Sequence, residues 1–435
     1  MIPGLDNDTI GLIETRINQD REYQASARGV RVCFALVSNL SDEGLVFTVN
    51  QGTTKVSPAP ISTSSEVKFT LSALSEHWRE FFAAVPKCPY QSYWGMLRVL
   101  GRDGVEVFGD TSSFTAHARV WRIILDLVRQ GIHRKTTPTQ SSQLSYLADD
   151  EADDDAILGH YTWVTLPGNE KCKIYYETSG SGRQDLLFLH TAGADSRQFH
   201  SLMLHPELRS TCTMYAFDLP GHGRSFPAAG QYPLSFANSE ELYISVIRQM
   251  CVKLKLSRAI VSGASMGGQV CLAVALHARE LDIKGVIPCE SCDFLPQQAS
   301  GGIYSLTGDE SILTPERVCG MMSPTSPAIY KRLNWWIYSS QAARIFPGDL
   351  KFYFGGWNGR ERIGQIDTRH CSVYMLTGEY DYSCTPDASR STASNIRGAV
   401  FEEMRGLGHF PMSEDPGQFL PYFKRALKHI QEEQG

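Results

Sequence analysis

The chain has 435 residues, enough for two or three domains at about 150 residues per domain. It is 42% hydrophobic, 20% charged and 10% aromatic, which excludes a mainly disordered or collagen-like polypeptide. Lys plus Arg number 41 against 47 Asp plus Glu, and six of the acids crowd into residues 149–155. The rest is balanced, so neither nucleic acid nor an anionic membrane surface is an expected partner.

The start, MIPGLDNDTI, lacks a basic cluster followed by an apolar run, so no secretory signal is expected. No stretch reaches the roughly 18 apolar residues of a membrane span. The eleven cysteines are scattered and odd in number, and the cytoplasm is the expected compartment. Cys289 and Cys292 form a CxxC with no second pair at metal spacing, which reads as coincidence. No metal or cofactor is expected.

In chain order, Ile10 to Arg21 reads as a helix with Asp8 or Thr9 near its start. VRVCFALV (30–37) and LVFTV (45–49) read as strands. VKFTL (67–71) alternates, with Val67, Phe69 and Leu71 on one face and Lys68 and Thr70 on the other, the period of a half-buried antiparallel strand. EHWREFFAAV (76–85) has helical spacing. GMLRVLG and VEVFG, split by Arg102-Asp103-Gly104, read as a hairpin. Ala116 to Arg129 closes this part as an amphipathic helix. The expectation is an α+β domain over 1–131.

This order resembles the sterol carrier protein-like fold, through VKFTLSALSEHWREFF, then YWGMLRVLGRDGVEVFGD, then the closing helix. The resemblance implies a sheet and helices around an apolar lipid tunnel. The alternative is a domain that keeps the scaffold and serves packing or homodimerisation. TTPTQSSQ followed by LADDEADDD, within 132–156, reads as an extended acidic linker.

From residue 157 apolar strands alternate with long helices. YTWVTL (161–166) and KIYYET (173–178) read as an opening hairpin. LLFLH (186–190), MYAFDL (214–219), AIVSG (259–263), GVIPC (285–289), VYML (373–376) and AVFEEM (399–404) read as the short apolar strands of a parallel sheet covered on both faces. A helix from Glu240 to Leu256 is entered by Asn238, with Glu241 three residues on as a capping box.

Gly263-Ala264-Ser265-Met266-Gly267 matches G-x-S-x-G between a strand-like and a helix-like run. That context makes Ser265 a candidate nucleophile on a sharp turn, at a helix N-terminus that favours a developing oxyanion. A serine needs a base. His409, in the glycine-rich GLGHFP loop after the last strand, has the placement for it. The acid is expected after the preceding strand, where Asp381 is preferred; Glu379, Glu290 and Asp293 compete. Oxyanion donors are expected at the backbone N–H of Met266 and in the loop His190–Asp195, at Ala192 with Thr191 as its rival. His190 reads either as orienting that loop or as a satisfied structural histidine. Arg197 reads more readily as a salt-bridge partner than as an anchor for a substrate carboxylate.

LLFLHTAGAD, AFDLPGHGRS, SGASMGGQV, LTGEYDYS and GLGHFPMSEDP, in that order, resemble the α/β-hydrolase fold enzymes over 157–435. The resemblance implies nucleophile, acid and base roles for Ser265, Asp381 and His409. Where many members have His-Gly in the oxyanion loop this chain has His190-Thr191, which leaves the donor open. Residues 294–362 are too long for a plain crossover and are expected to form a helical cap. Trp335, Trp336 and Tyr338, with Thr191, are the expected substrate contacts for a small, largely apolar molecule.

Three functions fit. The first is a serine hydrolase acting on an ester or thioester, with C–C cleavage of a diketone-like substrate as a variant. The second is a cyclase or acyl transferase that closes a lactone. The pairing of the two domains resembles biosynthetic hydrolases of the vibralactone cyclase type. The third is a binding protein that retains the triad.

Overall fold

The computed structural model describes residues 5–38, 43–60, 66–101, 104–133, 156–228, 230, 236–297 and 308–434. The chain forms two compact units, Met1–Gln143 with Ala299–Pro324, and Leu144–Gln298 with Thr325–Gly435. Most of the expected acidic linker lies outside the described residues.

The first unit is built on a mixed sheet of β1 (Arg31–Ser38), β2 (Glu43–Asn50), β3 (Thr53–Pro60), β4 (Phe69–Ala73) and β5 (Val105–Gly109), in the order β3-β2-β1-β4-β5. The first helix, Asn7–Gln19, starts one turn earlier than expected. Asp6 caps it by accepting the Thr9 N–H at 2.8 Å. Register places Phe34 opposite both Phe47 and Phe69, and the three rings stack at 5.0 and 5.2 Å. Phe114, Trp94 and Trp121 continue that stack, with centroids 5.0 to 5.7 Å apart. Rings therefore fill the interior of this unit.

Three expectations change here. VKFTL is not a half-buried antiparallel strand. β4 runs parallel to β1 and antiparallel to β5, and it is buried along its whole length, Thr70 and Ser72 included. Alternation marks two faces but cannot say that both are covered. GMLRVLG is not a hairpin arm. Tyr93–Val99 is a helix whose first turn is capped by Ser92, and it buries Trp94 and Met96. Short apolar runs fit either period. TTKVSPAP, unread as a strand, forms β3, and its two prolines are tolerated because the strand is at the sheet edge.

The fourth change concerns the expected cap. Its helix Glu310–Met321 belongs to the first unit. Leu313 joins the aromatic core, Ser92 Oγ donates to the Gly320 carbonyl at 2.7 Å, and fully buried Glu316 pairs with Arg122 and, at 3.6 Å, with Arg119. The core of this unit is thus completed by a segment nearly 200 residues downstream, at |i−j| = 194 for the Arg122–Glu316 pair.

The second unit holds eight strands: β6 (Leu158–Thr165), β7 (Lys171–Ser179), β8 (Gln184–Leu189), β9 (Cys212–Phe217), β10 (Ala259–Ala264), β11 (Ile283–Cys289), β12 (Ser372–Gly378) and β13 (Val400–Met404). Their order is β13-β12-β11-β10-β8-β9-β7-β6. β6 and β7 form the expected hairpin, β7 pairs antiparallel with β9, and the remaining neighbours are parallel. The chain leaves β8 for β9 on one side and leaves the adjacent β10 for β11 on the other, so a crevice opens at the carboxyl ends of β8 and β10. The helix Glu240–Leu254 is capped by Ser239, not Asn238. Asn238 turns its amide toward Asp349 instead, at 3.5 Å. All eleven cysteines are free thiols, and no helix among the described residues is long and apolar enough to cross a membrane.

Replacing Glu316 by Ala would leave the largely buried Arg122 with only the partly exposed Asp126 as partner, at 3.1 Å, so the first unit should lose about 2 kcal/mol. Urea unfolding of the two proteins measures the difference.

Candidate active site

β10 ends at Ala264 and the helix Met266–Leu276 begins two residues later. The intervening Ser265 has φ +58° and ψ −120°, a conformation that non-glycine residues avoid. The turn is sharp because β8 crosses beneath it. A Cβ on Gly263 would lie 2.7 Å from the Leu189 carbonyl oxygen, and one on Gly267 would collide with the same atom. The Ser265 N–H donates to the Cys289 carbonyl at 3.0 Å, and the Ser265 carbonyl accepts from Gln269 N–H at 3.0 Å. The backbone is held from both sides, and the side chain is left at the crevice.

His409 follows β13. Its Nδ1 is 2.7 Å from Asp381 Oδ2. The other Asp381 oxygen accepts the N–H groups of Ser383 and Cys384 at 2.7 and 3.1 Å. A carboxylate oxygen facing Nδ1 accepts, so the ring proton of this pair sits on Nδ1 and the lone pair on Nε2. Both side chains are buried. Glu414, fully buried, accepts Gly408 N–H at 2.5 Å and Phe410 N–H at 3.1 Å, so the backbone on each side of His409 is clamped by one carboxylate. Of the competing acids, Glu379 is exposed and bonds Gly406 N–H. The Asp293 backbone bonds Thr392. Glu290 lies beside Asp381, and ligand atoms of Glu290, Asp381 and His409 fall within 4.8 Å of one another. That spacing would admit a cation, but His409 Nδ1 is already hydrogen-bonded to Asp381 and Glu290 accepts the Gly378 N–H.

The loop after β8 spends its amides selectively. Thr191 N–H and Oγ1 both reach Gln198 Oε1 at 3.1 Å. Gly193 N–H donates to Asp349 Oδ2 at 2.8 Å, and Ala194 N–H to the Thr191 carbonyl at 3.2 Å. The Ala192 N–H makes none of these bonds. Met266 N–H heads the helix after Ser265. His190 is structural: Nδ1 donates to the Thr191 carbonyl at 2.8 Å and Nε2 accepts Leu219 N–H at 3.1 Å. Burial, reinforced by neighbouring His222, pushes its pKa down to about 4.

The helix Ala328–Ser339 separates the expected substrate contacts by its phase. Tyr338 is buried, meets the Thr191 hydroxyl, and packs its ring edge-on to Phe410 at 5.6 Å. It therefore touches both the loop after β8 and the loop of His409. Trp336 is a correction: it is 52% exposed and stacks on Arg197, 4.2 Å from the ring centroid. Two positions before Tyr338, it lies about 200° round the helix, on the outer face. Trp335 is half-buried between these faces. Arg197 is bound to Asp195 and Ser340.

Residues that carried no local sequence signal complete the site. Gln198 and Asp349 hold the loop amides from seven and 156 residues away. His222 donates from Nε2 to Asp349 Oδ2 at 2.8 Å and from Nδ1 to the Pro220 carbonyl at 3.1 Å, so both nitrogens carry protons. Burial opposes that charge, but the Asp349 carboxylate outweighs it and holds the His222 pKa above 6.5. A raised folded-state pKa contributes stability in full below about 6.5 and loses it as pH rises through the folded value. Denaturant unfolding across pH should therefore show the largest gap between the parent and His222→Gln in mild acid, narrowing toward alkaline pH.

The profile of the Alpha/beta hydrolase family matches residues 186–421. Hydrolase YugF of Bacillus subtilis (strain 168), itself uncharacterised, is 34% identical over 119 residues, covering 27% of this chain and 41% of that protein. Pimeloyl-[acyl-carrier protein] methyl ester esterase of Edwardsiella ictaluri (strain 93-146) is 30% identical over 133 residues, covering 30% and 46%. The chain thus spans less than half the length of these two relatives. A solved structure of a putative aryl esterase from Burkholderia cenocepacia superposes with a TM-score of 0.52 at 14% identity, over 63% of this chain and all of that one, a likeness of fold. A strand-turn-helix elbow at a sheet crevice, an eight-stranded sheet of this order and a family profile over more than half the chain agree, and the chain belongs to the Alpha/beta hydrolase family.

Proposed function

We propose that the chain is a serine hydrolase that cleaves an ester or thioester of a small, largely apolar molecule through an acyl-enzyme. The observation that carries this reading is the 2.7 Å contact of Asp381 with His409 Nδ1, in a fold whose elbow presents Ser265. Asp381 keeps the imidazole in the tautomer with a basic Nε2. His409 removes the Ser265 proton as the hydroxyl attacks the carbonyl. The Met266 and Ala192 amides receive the oxyanion. His409 then protonates the leaving group and activates water for deacylation. The rings of Phe410 and Tyr353 against His409, with Tyr338 packed on Phe410, favour an apolar acyl or alkyl group. The ester specificity named for the pimeloyl relative agrees with this substrate class.

A second reading keeps the acyl-enzyme and hands the acyl group to a hydroxyl or enolate of the same substrate, giving a lactone. Ser265 is 2% and His409 3% exposed, and a site so closed to water favours an internal acceptor. The ring-filled first unit supports a scaffold role for 1–131 rather than a lipid tunnel.

A fluorophosphonate probe should label Ser265, and Ser265→Ala should abolish labelling and lower kcat on the order of 10⁶-fold. Asp381→Asn should lower kcat roughly 10⁴-fold with the fold intact. Turnover in heavy-oxygen water places the isotope in a hydrolysis product and leaves a cyclised one unlabelled. Folded protein that never reacts with the probe would instead mark the site as a binding pocket.

A further inference from the structure

We propose that Glu290 is a positioning residue of the triad, a neutral carboxylic acid that donates its proton to Asp381 and keeps that carboxylate aimed at His409. The inference rests on the triad reading above and extends it by one residue.

The turn after β11 touches the site twice. The Cys289 carbonyl accepts the Ser265 N–H. The next residue, Glu290, has φ +51° although it carries a side chain. Such a conformation is strained and persists only where the surroundings impose it. Here the Glu290 N–H is tied to the Leu376 carbonyl at 2.9 Å, and the side chain is turned inward with no exposure. Both carboxyl oxygens lie 3.0 Å from Gly378 N–H, the last residue of β12. The strain therefore delivers a carboxyl group between the nucleophile's turn and the acid's loop.

Proton counting assigns its state. Glu290 is faced by Asp381, His409, Glu414 and Cys289, and the only ionisable base among them is one imidazole. Adjacent buried carboxyls cannot both ionise. Asp381 has the imidazole and two amides as donors, whereas Glu290 has one amide shared by two oxygens. The proton therefore stays on Glu290. Burial, then the Asp381 charge, holds its carboxyl well above the usual range. The proton remains there through the cycle, while the transferred proton moves between Ser265 and His409.

Glu290→Gln keeps a donor toward Asp381 and an acceptor for Gly378; Glu290→Leu keeps neither. We expect kcat of the Gln variant within about threefold of the parent, and kcat of the Leu variant lower by roughly 10- to 100-fold with KM unchanged. Infrared difference spectra of parent against Glu290→Gln near neutral pH should show loss of one protonated-carboxyl stretch. This readout needs no turnover and holds even if the Leu variant fails to fold. Absence of that band in the difference, or a folded Gln variant as slow as the Leu variant, overturns the proposal. Fluorophosphonate labelling of the parent is scored separately: if labelling fails while the band is present, the triad reading falls and the protonation state of Glu290 stands.

Discussion

One carbonyl oxygen, that of Leu189 at the end of β8, sets the geometry of the second unit's chemistry. It occupies the space where Cβ atoms of Gly263 and Gly267 would lie. Only glycine at both positions lets β10 and its following helix close over β8. That closure forces Ser265 into its left-handed backbone and points the first helical amides into the crevice. The same strand leads directly into the loop that carries Ala192. Ser265, Met266 and the loop of Ala192 are thus set by one crossing of backbone, and the Asp381–His409 pair stands on the loops after β12 and β13.

Around that crossing the buried charges are sorted by their neighbours. His409 and His222 each face a carboxylate through one nitrogen, while His190 faces only backbone groups and stays neutral. Asp381 is surrounded by donors and Glu290 is nearly deprived of them. Asp349 and Glu414 hold backbone amides of the two loops that frame the site. Each assignment follows from counting donors and acceptors where water is excluded.

The parts of this site that sequence makes legible are those whose chemistry dictates local spacing. Gly263, Ser265 and Gly267 must be close in sequence because a single turn unites them, and Asp381 and His409 each come a few residues after one of the last two strands of the sheet. The partners of the loop amides were hidden because nothing local constrains them: Gln198 and Asp349 are set by the folded backbone alone. Trp336 misled because an aromatic pair in a helix does not announce which member faces inward; only the phase set by Asn334, Ile337 and Tyr338 decides it. In the first unit, β3 was concealed by its prolines and the Tyr93–Val99 helix by an apolar run shared with strands.

The helix Glu310–Met321 gives the chain an interleaved path: it begins in the first unit, moves to the second, returns, and leaves again. Severing the acidic stretch at 134–155 would therefore release nothing, since two further covalent crossings still tie the halves. The first unit cannot be transplanted, expressed alone or deleted as a contiguous cassette without tearing out part of its own interior. Any rearrangement that separates these halves in the course of descent must first replace that borrowed helix.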